Sequence, residues 1–108
     1  MNNTLEKLYE VIKDRKLNPA EGSYTCYLFD KGLDKILKKI EEESAETIIA
    51  AKNEDNGELT GEVCDLIYHL LVMCDEKQLN INDIFEELNK RSEKIGNLKK
   101  MKNTDRNT

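Results

Sequence analysis

Between Val63 and Cys74 the chain is apolar at almost every position, and only Asp65 and His69 interrupt the run. Coiled into a helix, Val63, Cys64, Leu66, Ile67, Tyr68, Leu70, Leu71, Val72, Met73 and Cys74 cover nearly every side. A helix that is apolar all round must be buried all round. The run is too short to span a bilayer, which takes about 20 apolar residues. It therefore needs other protein around it. A chain of 108 residues offers one modest core, and three further short helices are too little to enclose this one. The expectation is an all-α four-helix bundle completed by homodimerisation, with this helix at its centre.

The other helices follow from spacing. Leu5, Leu8 and Ile12 predict a helix over 5–17, with Asn3 or Thr4 as its cap and Asn3 with Glu6 as a loose capping box. Asn18-Pro19 ends it, because the residue before a proline leaves the helical region. Residues 18–31 read as a connector, loop or short helix, long enough to suggest a functional role. A second helix over 33–53 carries a stripe of Leu33, Ile36, Leu37, Ile40, Ser44, Thr47, Ile48 and Ala51. A turn at 53–57 leads into the apolar helix over 58–77. A last helix over 83–95 turns Ile84, Phe85, Leu88 and Ile95 inward, with Asp83 and Glu86 as a capping box and Gly96 as its stop. The domain is expected to span 1–96. Residues 97–108, which carry Lys99, Lys100, Lys102 and Arg106 against Asp105, are expected to form a disordered basic tail.

Two acidic clusters lie on the middle helices: Glu42-Glu43-x-x-Glu46, and Glu62-x-x-Asp65 at the head of the apolar run. Carboxylates at i, i+3 share a helix face. With Leu33 at zero and 100° per residue, Glu43 falls near ~280° and Glu46 near ~220°, flanking the apolar stripe, while Glu42 at ~180° points away. Two such faces turned together make an all-oxygen cage suited to Mg²⁺, which keeps waters and takes substrate phosphates. Glu43, Glu46, Glu62 and Asp65 are the candidate ligands. Glu42, beside them, is the candidate to orient or deprotonate an attacking water. The chemistry implied is cleavage of a nucleotide polyphosphate. A plainer reading stands beside it. The first cluster with Lys38 and Lys39 can be a solvated, ion-paired face, and Asp65 can be a buried carboxylate satisfied by His69 or a lysine.

Composition narrows the alternatives. The net charge is −5, and the basic tail leaves the body more acidic still. Such a body is a poor nucleic-acid surface. Cys26, Cys64 and Cys74 have no C-x-x-C spacing, and the odd count and the absence of a basic-apolar leader predict a reduced, cytoplasmic protein off the membrane. Cys64 and Cys74 read as core residues. With a single histidine, a zinc site of ordinary His/Cys spacing is excluded. No glycine-rich phosphate loop is present.

Beyond the acidic motifs, the chain carries in order Ser23-Tyr24-Thr25, Lys31-Gly32, Lys35-Ile-x-x-Lys39, Ile49-Ala50-Ala51-Lys52, Asp65-Leu-Ile-Tyr68-His69-Leu-Leu-Val72 and Glu87-Leu88 with Arg91. In these stretches the sequence resembles the phosphoribosyl-ATP pyrophosphatase family, over roughly residues 5–91. That family belongs to the all-α nucleotide pyrophosphatases that include the MazG-like proteins. The resemblance implies Mg²⁺-dependent hydrolysis of phosphoribosyl-ATP to phosphoribosyl-AMP and pyrophosphate, the second step of histidine biosynthesis. It implies that the acidic residues ligate metal, that Lys39 contacts a phosphate, and that Ser23, Tyr24 and Thr25 bind substrate. Glu41 departs from the pattern, standing where the family usually has glycine. The cyclohydrolase domain fused to this enzyme in some organisms has no room in 108 residues, which predicts the monofunctional form. A house-cleaning dNTP pyrophosphatase and a non-catalytic helical dimer are the competing readings.

Overall fold

The computed structural model describes residues 3–94, 96 and 98–107, the side chains of 106 and 107 apart. It contains α1 (Thr4–Leu17), α2 (Tyr24–Lys31), α3 (Leu33–Lys52), α4 (Asn56–Glu76) and α5 (Ile81–Ser92), and a 3₁₀ helix at Asn103–Asn107. The fold is all-α, and among the described residues no strand forms. No described helix is long and apolar enough to cross a membrane.

Among the described residues the bundle has five α-helices rather than four, because the connector after Pro19 holds α2. Ser23 starts it: its hydroxyl accepts from the Cys26 amide at 3.2 Å. Gly32 ends it at φ +94° and in the same step begins α3. Its amide donates to the Leu28 carbonyl and its carbonyl accepts from the Ile36 amide. A residue with a Cβ is strained at that φ. Leu28, fully buried, anchors α2 to the core.

α3 and α4 form a long antiparallel hairpin. The turn between them is shorter than its composition suggests. Glu54 takes φ +59°, and Asp55 already caps α4 by accepting from the Glu58 amide at 3.1 Å. Tyr9 and Ile12 of α1, Leu28, Ile36, Leu71, Val72 and Cys74 of α4, and Ile81 of α5 make the core. Ile12, Leu28, Ile36 and Val72 are buried completely, each contributing about 1.5–3 kcal/mol by removal from water. The Tyr9 hydroxyl donates to the Leu79 carbonyl at 2.9 Å, joining α1 to the α4–α5 connection.

Several local expectations are corrected. Asn3 stands at the N-cap of α1 but makes no side-chain capping bond, so the box with Glu6 is not formed. α5 is capped by Asn80, which accepts from the Asn82 amide, and not by Asp83. It ends at Ser92, before Gly96, and Leu88 is exposed; Ile95 lies outside the described residues. On α3 the inward line runs Ile36, Glu43, Ala50, while Leu37 and Ile48 of the apolar stripe face outward. The helix is rotated so that a carboxylate, Glu43, takes an interior position. On α4, Val63 and Leu70 are exposed, and so is Cys64, which is not a core residue in this chain; Cys74 is buried as expected.

Candidate metal centre

The rotation of α3 turns Glu43 toward the first turns of α4. Glu43 is only 6% exposed. One carboxylate oxygen from each of Glu43, Glu62 and Asp65 lies within 4.8 Å of the others. Glu43 Oε2 and Glu62 Oε2 are buried and find no hydrogen-bond partner among the described residues. Thr47 fixes the two helices here: its hydroxyl donates to the Glu43 carbonyl at 2.7 Å, with the Glu62 carbonyl at 3.4 Å.

Packing carboxylates this closely raises their proton affinity. Glu62 is pushed up to about 7 by burial first, then by Glu46 and Glu43. Glu43 is raised by burial, then by the charges of Glu46 and Asp65. Glu46 thus acts on both groups, but it is exposed and stands beside the set of three rather than within it. Buried anionic oxygens with no donor, gathered from two helices, fit a hard divalent cation, which would neutralise them and satisfy their lone pairs.

Glu42 lies apart from this set. Lys39 Nζ is 3.1 Å from Glu42 Oε2 and 3.9 Å from Glu43 Oε1. That bond holds the Glu42 carboxyl below the usual range and raises Lys39. Lys39 therefore has the ion pairs expected of a structured acidic face, and one of them reaches a carboxylate of the cluster. Glu41 is an exposed surface charge.

Asp65 is exposed, not buried, and its carboxylate is not paired with His69. His69, 4% exposed, instead places Nδ1 2.7 Å from the Asp65 backbone carbonyl. This leaves the Asp65 side chain for the cluster. The other ring nitrogen meets Tyr24 Oη at 2.9 Å. One residue earlier, Tyr68 Oη bonds Thr25 Oγ1. Tyr24 also stacks on Tyr27 and Tyr68, with centroids 5.9 Å and 6.1 Å apart. The Ser23-Tyr24-Thr25 segment is thus the first turn of α2, latched onto α4 beside the carboxylates. Spacing alone misses this latch, although adjacent Tyr68 and His69 in an apolar helix were a sign that polar atoms there needed partners from elsewhere.

The family model for phosphoribosyl-ATP pyrophosphohydrolase matches residues 5–92, which include all five α-helices but for Thr4. The chain belongs to this family. It is 58% identical over 103 residues to the phosphoribosyl-ATP pyrophosphatase of Clostridium botulinum, covering 95% of this chain and 94% of that protein. It is 57% identical over 98 residues to the enzyme of the same name from Clostridium acetobutylicum, covering 91% and 89%. It is also 59% identical over 90 residues to the histidine biosynthesis bifunctional protein HisIE of Caldanaerobacter subterraneus, covering 83% of this chain but 44% of that longer protein. The acidic cluster, Lys39 and the α2 latch all lie within the matched segment.

Proposed function

We propose that this chain is a hydrolase of histidine biosynthesis that cleaves phosphoribosyl-ATP to phosphoribosyl-AMP and pyrophosphate, using Mg²⁺, as a cytoplasmic homodimer. Family membership and two near full-length relatives carrying the activity in their names support the substrate. The observation in the fold that carries the chemistry is the set Glu43, Glu62 and Asp65, two of whose buried oxygens find no hydrogen-bond partner among the described residues.

In this reading Glu43, Glu62 and Asp65 would hold the cation, with Glu46 as a further candidate donor. When bound, Mg²⁺ supplies charge neutralisation on the polyphosphate and Lewis-acid polarisation at the reacting phosphorus. The protein's own groups do the rest. Lys39, on the rim of the cluster, exchanges part of its contact with Glu42 for a phosphate oxygen. Glu42, kept deprotonated by Lys39, orients the attacking water and accepts its proton. Water adds at the α–β phosphate linkage and pyrophosphate leaves. Ser23, Tyr24 and Thr25 border the approach to the cluster and bind the nucleotide, held at fixed depth by the bonds of Tyr24 and Thr25 to α4.

The test is pyrophosphate release from phosphoribosyl-ATP and, separately, from each dNTP, with Mg²⁺ or with a chelator. Turnover of phosphoribosyl-ATP that requires the cation is the expected result. Turnover of dNTPs in its place would keep the metal chemistry and overturn the substrate. No turnover of any nucleotide would reduce the carboxylates to a solvated face.

A further inference from the structure

Three hydroxyls of α3 and α4 bond back along their own helices. Ser44 donates to the Ile40 carbonyl at 2.8 Å, and Thr60 to the Asn56 carbonyl at 2.7 Å. These are ordinary i to i−4 bonds, each confined to one helix. Thr47 makes the same bond to the Glu43 carbonyl at 2.7 Å, but it has a second acceptor, the Glu62 carbonyl of α4 at 3.4 Å. A hydroxyl carries one hydrogen, and a carbonyl can only accept. The hydrogen is therefore shared, with its main arm inside α3 and a longer arm across to α4. Among the described residues, Thr47 is the only hydroxyl, amide or ammonium donor of either helix that reaches the other.

This crossing falls at the carboxylates. The two residues whose carbonyls Thr47 joins, Glu43 and Glu62, form the set of three with Asp65. One oxygen from each lies within 4.8 Å of the others, and like charges that close push α3 and α4 apart. Lys39, 3.9 Å from Glu43 Oε1, is the one cation paired with the set among the described residues, and it stands on α3 itself. It offsets charge without drawing α4 nearer. The Thr47 donor pulls the two helices together at the level where their repulsion is greatest.

The separation of the helices matters to a cation. Mg²⁺ needs near-ideal octahedral geometry with oxygens at about 2.0–2.1 Å, whereas Ca²⁺ accepts irregular shells at about 2.3–2.6 Å. We propose that Thr47 is a positioning residue that acts through Glu43 and Glu62: by tying α3 to α4 it holds the carboxylates close before the ion arrives, and so sets the preference of the site for Mg²⁺ over the larger Ca²⁺. The cost of crowding the anions then falls on folding rather than on binding. This inference rests on the divalent-cation reading above.

The test compares wild type, Thr47→Val, Thr47→Ala and Thr47→Ser, with Glu62→Gln as the variant that lacks a ligand. Each is titrated with Mg²⁺ alone and with Ca²⁺ alone, without nucleotide, by calorimetry and by the shift in Tm. Valine keeps the shape of threonine and removes the hydroxyl. Thr47→Val should bind Mg²⁺ about ten-fold or more weakly, and Ca²⁺ with a smaller loss, so that the preference narrows. Thr47→Ser keeps the donor and should restore both the Mg²⁺ affinity and the preference. In a chelator, the Tm of Thr47→Val should stay close to that of wild type, because relief of repulsion offsets the lost bond. A residue that only supported the fold would lower that Tm and weaken both ions by one factor. If Thr47→Val does not fold, Thr47→Ala removes the same donor and decides.

An unchanged Mg²⁺ affinity in Thr47→Val, an equal loss for the two ions, or a Thr47→Ser that behaves like Thr47→Val overturns the proposal. If Glu62→Gln loses Mg²⁺ while Thr47→Val and Thr47→Ala bind both ions as wild type does, this inference fails alone. A wild type that binds neither ion takes the cation reading down with it.

Discussion

The Glu62 carboxyl, pushed up to about 7 by burial and by Glu46 and Glu43, makes stability and metal binding two readings of one site. Its folded value lies above the ordinary carboxylate value of about 4.3 that it has when unfolded. The native chain therefore holds that proton more tightly. The stability this contributes is fully present below the unfolded value and is lost as pH rises through about 7, where folding must keep an anion beside two others. Glu62→Gln removes the group. In a chelator, the Tm of Glu62→Gln should exceed that of wild type by a margin that widens from about pH 5 to about pH 8. Mg²⁺ should raise the wild-type Tm by linkage, leave the variant unmoved, and find it slower by on the order of 100-fold or more. A margin that does not change with pH would refute the crowding of charge at Glu62. Glu42 predicts the opposite split. Bonded to Lys39 and outside the set of three, it can be changed to Gln with the Mg²⁺ shift retained while kcat falls by about 10²- to 10⁴-fold. If Glu42→Gln loses the thermal shift instead, Glu42 is a ligand and the proton acceptor lies elsewhere.

Among the elements, α2 depends most on a few contacts. It has eight residues, too few for an isolated helix to persist in water, and it stays in place through the Ser23 cap, buried Leu28 and the bonds of Tyr24 and Thr25 to α4. Ser23→Ala should cost about 1 kcal/mol. Hydrogen exchange should show that cost in the α2 amides before it appears in α3 or α4; equal protection in wild type and variant would mean the cap carries no weight. The same brevity made α2 hard to read in sequence. Two turns give no measurable period, and Tyr24, Thr25, Tyr27 and Phe29 favour strands locally until tertiary contacts override them. α3 and α4 were legible because each runs about 20 residues, and the i, i+3 spacing of Glu62 and Asp65 carried directly into the cluster. Three features were hidden because pattern reading assumes that apolar residues choose the buried face. Glu43 is interior while Ile48 is 65% exposed. Asp65 is open although its neighbours are apolar. His69 is satisfied by a backbone carbonyl and by a tyrosine 45 residues away in sequence. In each case the site, not the core, sets the orientation of the helix.

For the whole molecule the open question is what covers its apolar surface. The isolated chain exposes 8439 Å², whereas a compact monomer of 12.5 kDa should expose about 6,200 Å². Its radius of gyration is 16.1 Å against about 13 Å for a globule of this length. The exposed residues beyond Ser92 account for part of the excess, but not for its chemistry. Leu37 and Ile48 form one exposed line along α3, three turns apart, and Val63 and Leu70 form another along α4. These are the elements that carry the carboxylates, and the sequence of α4 demanded burial on all sides. A second copy packed on these helices would supply it through a self-complementary contact. It would also stiffen the hairpin that sets the spacing of Glu43, Glu62 and Asp65. Sedimentation equilibrium at micromolar concentration should therefore give twice the 12.5 kDa chain mass, and Ile48→Asp should shift the species toward monomer. Because folding and association are linked, the wild-type Tm should rise with protein concentration, and the variant's Tm should be lower and independent of it. Ile48 is not among the groups that hold cation or substrate, so any loss of turnover in Ile48→Asp should be recovered at high protein concentration. A wild type that sediments as a monomer, with a Tm indifferent to concentration, would mean that these two apolar lines face solvent in the working enzyme.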